Sequence, residues 1–86
     1  MQMELQVGKV YRHFKGDLYL VEAIARHTET DEKMVIYRAL YGEHILYARP
    51  YDMFCSKVDK EKYPNETQEY RFELANIETV AKNYKK

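Results

Sequence analysis

Between residues 10 and 54 aromatic residues share short blocks with arginine or histidine in YRHFKG (11–16), VIYRALYG (35–42) and YARPYDMF (47–54), and ARHTET (25–30) adds a further arginine and histidine. Short runs of aromatic and β-branched residues broken by turn signals demand a sheet. The same clustering suits a ligand surface, because planar cations and rings together can grip an anion or a base.

The strand reading runs as follows. Residues 9–14 form a first strand, closed by the turn Lys15-Gly16-Asp17. Residues 18–27 form a second, with Tyr19, Val21, Ala23 and Ala25 expected inward and Leu18, Leu20, Glu22, Ile24 and Arg26 on the other face. A bulge near Glu22 would break that alternation. Residues 28–33 are a polar loop, and 34–41 a third strand that ends at Gly42. A tight hairpin through Gly42 and Glu43 leads into a fourth strand over 44–49, which Pro50 stops. Residues 51–54 suit a single 3₁₀ turn.

The second half reads less clearly. Residues 58–67 are charged and contain the breaker Pro64-Asn65, so they are expected to form an exposed loop. Tyr70, Leu74, Ile77, Ala81 and Tyr84 fall at helical spacing, which allows one helix from about residue 66. Tyr70-Arg71-Phe72 also alternates as a strand. The favoured reading is a strand over 69–74, then a helix ending in the basic tail 82–86, which complements a helix C-terminus. Apolar residues on both faces of several strands, such as Met34 and Ile36 against Val35 and Tyr37, imply a cover for the outer face. The C-terminal helix and a second copy of the chain, giving a homodimer, are the candidates.

Size and charge limit what such a sheet can do. The chain has 86 residues, room for one small domain with a modest core. Fourteen basic side chains balance fourteen acidic ones, so the net charge supplies no attraction for nucleic acid or an anionic membrane. The balance holds locally too: residues 9–55 carry seven Lys/Arg and seven Asp/Glu. Any basic patch must therefore be made by folding. No apolar run is long enough to cross a bilayer, and MQMELQ lacks a signal-peptide core, so a cytoplasmic location is expected. Cys55, the single cysteine, can form no internal disulfide and is expected to be a small buried residue.

The blocks GKVYRHFKG, ARHTET, VIYRALYG, YARPYDMF and YRFE, in this order over residues 8–74, resemble DUF1653, a family of small bacterial proteins catalogued as a domain of unknown function. Tyr47 stands where members are expected often to carry tryptophan. The resemblance implies a small SH3-like five-stranded barrel, an all-β (mainly β) fold, and supports the strand reading of residues 70–73. With it the chain divides into a leader (1–7), the SH3-like domain (8–74) and a helical tail (75–86), the last outside the resemblance. It implies neither an activity nor a ligand.

Function must then be sought in side chains. Arg12, Arg26, Arg38 and Arg49 sit within or at the ends of expected strands, where they either pair with carboxylates such as Glu22, Glu29, Glu43 or Asp52, or converge with tyrosines on an anion. Arg12, Arg38 and Arg49 lie close to Tyr11, Tyr37 and Tyr47. The expected ligand-binding set is therefore Arg12, His13, Tyr37, Arg38, Tyr47 and Arg49, with Arg38 and Arg49 foremost. A non-catalytic binding or adaptor module for an anionic small molecule or an acidic protein segment is the expected function. Binding of single-stranded nucleic acid on the nine tyrosines is the alternative. His13, His27 and His44 show no metal-ligand spacing, and no phosphate loop or nucleophile elbow is present, so no cofactor, metal or enzyme activity is expected. A hydrolase or transferase using His27 as base and Glu29 to orient it is a third, weaker reading.

Overall fold

Gly16 makes the first hairpin possible. At φ +111° it takes a backbone conformation that side-chain-bearing residues rarely adopt, while its amide bonds the His13 carbonyl at 2.7 Å and the His13 amide bonds the Asp17 carbonyl at 2.8 Å. The turn joins β1 (Val10–His13) to β2 (Leu18–Arg26), with Tyr11 opposite Tyr19. The computed structural model describes residues 4–75.

A second hairpin links β2 to β3 (Lys33–Ala39). His27 and Glu32 close it by a 2.8 Å amide-to-carbonyl bond, and Asp31 takes φ 62°, which aspartate tolerates better than most residues. The register shifts between Val21 and Ala23, so Glu22 sits at a bulge. Val21 lies opposite Tyr37, but Ala23 lies opposite Ile36 and Ile24 opposite Val35. Cross-strand partners share a face, so the alternation reverses. Ala23 and Ala25 therefore join the outer face, and the inward placing expected for them fails beyond the bulge.

The β3–β4 connection is longer than the expected two-residue turn. Ala39 donates its amide to the Ile45 carbonyl, and His44 takes φ 58°, so β4 (Leu46–Pro50) begins two residues later than expected. Pro50 then caps α1 (Tyr51–Phe54), whose amide-to-carbonyl bond from Cys55 to Tyr51 spans four residues. That is an α turn, not the 3₁₀ turn expected. Lys57 bridges to Tyr70, and Val58 is buried with its amide on the Glu69 carbonyl, so the charged loop is tied down at its base. Finally β5 (Phe72–Leu74) pairs with β1, which excludes a helix starting near residue 66. The helix expected over 75–86 lies, from residue 76, outside the described residues.

The fold is thus mainly β: among the described residues, five antiparallel strands in the order β4-β3-β2-β1-β5 and one short helix. No ladder joins β4 to β5 among the described residues, so the sheet is not hydrogen-bonded into a closed cylinder. On its inner face Tyr11, Val21, Val35, Tyr37, Phe54, Cys55 and Phe72 form the core, and Leu5 from the leader packs against them. Phe54 stacks on Phe72 at 4.0 Å between centroids, and Tyr37 meets both rings edge-on. Each such aromatic pair adds about 0.5–1.5 kcal/mol beyond the area it buries. Cys55 is buried here as a free thiol, as expected. Among the described residues no helix is long and apolar enough to cross a membrane.

Candidate anion site

A cavity of about 310 Å³ lies beside the end of β1, lined by His13, Phe14 and Lys15 from that end and its turn, Arg49 from β4, Val58, Asp59, Lys62 and Tyr63 from the long loop, and Arg71 just before β5. Four cations thus stand against one carboxylate. A chain without net charge has concentrated positive charge by folding alone.

Each cation is held by something other than an acid. Arg49, half-buried, donates from Nε to the Tyr37 hydroxyl at 3.1 Å and lies 5.7 Å from the centroid of the Phe72 ring. Lys15 and Lys62 lie 5.5 and 5.7 Å from the Tyr63 ring centroid. Tyr63 in turn meets Phe14 edge-on at 4.9 Å. Arg71 is fixed through its backbone, its amide bonding the Ser56 carbonyl and its carbonyl accepting from the Phe14 amide, both at 2.9 Å. Its buried Nε has no hydrogen-bond partner among the described residues. The lone acid, Asp59, already accepts from the amides of Glu61 and Lys62 at 3.0 and 3.4 Å.

His13 completes the wall. Its ring packs against Phe14 at 4.6 Å and edge-on to Phe72 at 4.9 Å, and Nδ1 accepts the Lys15 amide at 3.1 Å. Burial, then the nearby charges of Arg49, Lys15 and Arg71, push its pKa below the ordinary histidine value, with only Asp17 opposing. The imidazole is therefore neutral near pH 7. With Nδ1 accepting, the ring proton is assigned to Nε2, a donor.

The structure brings together only part of the expected set. His13 and Arg49 line the cavity, and Tyr37 lies beneath it in the core, 4 % exposed, supporting Arg49. Tyr47 is 40 % exposed and tilted against Tyr37 at 5.7 Å, away from the cavity lining. Arg12 faces the opposite side of β1, across from Glu73 and Leu18. Arg38 also faces outward, where Nε bonds Glu22 at 2.7 Å and Nη1 bonds the His44 carbonyl at 3.0 Å. The expected convergence of Arg12, Arg38 and Arg49 is thus corrected: Arg49 alone faces the cavity. Arg26 is taken by Asp31 at 3.1 Å.

Lys15, Lys62, Tyr63 and Arg71 were not among the expected residues. Lys15 and Arg71 stand inside the quoted blocks GKVYRHFKG and YRFE, which was the available signal. Lys62 and Tyr63 belong to the loop taken as merely exposed. His27 serves its own turn, with Nδ1 accepting the amides of Glu29 and Thr30 at 3.1 and 3.4 Å. Glu29 thus meets it through its backbone.

A match to the family described as "Protein of unknown function (DUF1653)" spans residues 9–74. A crystal structure of a DUF1653 protein from Bordetella bronchiseptica is similar to this chain, with 32 % identity over 88 % of this chain and 94 % of that one, at a TM-score of 0.69. A search of curated proteins gave no match.

Proposed function

This chain belongs to the DUF1653 family, and from that premise, which carries a fold but no activity, we propose that it is a non-catalytic binding module whose cavity beside the end of β1 takes an anionic group. The observation that carries the reading is the gathering of cations. Lys15, Arg49, Lys62 and Arg71 line one cavity with a single carboxylate, Asp59, and form no ion pair among the described residues. Unpaired cations gathered in a concave, partly apolar site favour an anion as occupant. A small molecule suits a cavity of about 310 Å³ better than an acidic protein segment. We read the sheet as an SH3-like barrel in which this cavity occupies the seam, and the cytoplasm as its compartment.

Binding of single strands has less support. Base stacking needs open ring faces beside cations, but the exposed Tyr41 and Tyr47 do not line the cavity, and Tyr63 already carries Lys15 and Lys62. The test is an NMR titration of isotope-labelled protein with inorganic phosphate and with acetate. Shifts centred on Lys15, Arg49 and Arg71, lost in Arg49→Met/Arg71→Met and kept in Arg12→Met, are expected. Shifts centred elsewhere, or an undiminished response in the double variant, would refute the site.

A further inference from the structure

We infer that the group bound is a phosphate monoester carried by a small organic molecule, in preference to a carboxylate; this rests on the anion-binding reading above and narrows it. Three observations support the choice. Charge comes first. Lys15, Arg49, Lys62 and Arg71 face a single acid, Asp59, which is already engaged by backbone amides. Holding like charges together is unfavourable, and a monocarboxylate relieves it by one charge, whereas a phosphate monoester brings about −1.5 to −2 near neutrality.

Geometry comes second. The cations arrive from four separate places: the turn after β1, strand β4, the long loop and the approach to β5. A planar carboxylate is matched by one guanidinium fork, but the terminal oxygens of a phosphate point in different directions and accept from donors spread around them. Arg49 has committed Nε to Tyr37 and the Nε of Arg71 is buried, so both guanidiniums are left to bond through their terminal nitrogens. Neutral His13 adds a donor with no further charge to offset. Size comes third. The cavity of about 310 Å³ is at the small end of small-molecule sites and exceeds a phosphate group alone, so Phe14 and Val58 are left to contact the organic part.

The test compares glycerol 3-phosphate with glycerate by calorimetry, on wild type, Arg71→Met, Arg71→Lys and Arg12→Met, each first checked for cooperative thermal unfolding. Glycerol 3-phosphate is expected to bind at least about tenfold more tightly than glycerate, given the stronger charge-assisted bonds of a dianion. Arg71→Met should erase that preference, Arg71→Lys retain part of it, and Arg12→Met leave it intact. Equal affinity for the two, or tighter binding of glycerate, overturns the phosphate assignment but leaves the anion site standing. No binding of either, together with no response to phosphate or acetate in the titration above, defeats both. A third arm uses an oligonucleotide with and without a 5′-phosphate. If both forms bind with a steep salt dependence while glycerol 3-phosphate does not, the occupant is a nucleic-acid backbone and the small-molecule inference fails.

Discussion

Adjacent residues of a strand point to opposite faces, and this decides which arginines meet the site. Tyr37 and Arg38 are neighbours in sequence, so burying the ring forces the guanidinium outward to Glu22. Tyr11 and Arg12 divide the same way. Tyr47 and Arg49, two apart, share the inner face, and Arg49 reaches Tyr37 across the β3–β4 ladder. Adjacency to a tyrosine therefore identified arginines on strands without identifying their face. His13 carries a measurable consequence. Its pKa is lowered in the folded protein, so the unfolded chain binds the proton more readily, and folding stability is fully present above the unfolded value of about 6.5 and is lost as pH falls from there through the lower folded value. Urea unfolding across roughly pH 5 to 8 should show wild type losing more stability on acidification than His13→Gln, the range over which imidazole titrates. Parallel curves for the two proteins would contradict the assignment.

At the level of elements, turn chemistry decided what could be foreseen. The β1–β2 hairpin was legible because Gly16 supplies a positive φ that few other residues accept. A Cβ added at Gly16 meets nothing within 4 Å, so the penalty for Gly16→Ala is purely backbone strain. It should cost about 1 kcal/mol or more, seen as a lower urea midpoint with unchanged slope. An unaltered midpoint would mean that the turn tolerates a different geometry. Glu22 breaks the alternation of β2, and only the ladder shows that this moves Ala23 and Ala25 to the other face. The β3–β4 loop is longer than Gly42 and Glu43 suggest because His44, not a glycine, takes one of the positive φ values. Nothing in its residue type announces that. Likewise Lys62 looked like ordinary loop charge, and its place in the cavity depends on the Lys57–Tyr70 bridge, a contact between residues distant in sequence.

At the scale of the molecule, one largely aromatic core joins β1, β2, β3 and β5 to the helix among the described residues, so exposure of its members should report global opening. Cys55 is 1 % exposed, and burial, ahead of Asp52, raises its thiol pKa while Tyr51 and Lys33 act against the rise. Its reaction with a disulfide reagent should be slow in buffer and fast in denaturing urea, in proportion to the unfolded population. Rapid labelling under native conditions would show that α1 detaches on its own. The class of fold was readable from strand-forming residues and turns, but the cavity was not, because it joins residues from the end of β1, the long loop, β4 and the approach to β5, and β4 and β5 do not pair.

That unpaired boundary has a mechanical meaning. Arg49 rides on one terminal strand of the sheet and Arg71 leads into the other, so a guest gripped by both would act as a clasp between margins that have no backbone bonds in common. Occupancy would then be felt as stiffness along the boundary, and an empty molecule would breathe there first.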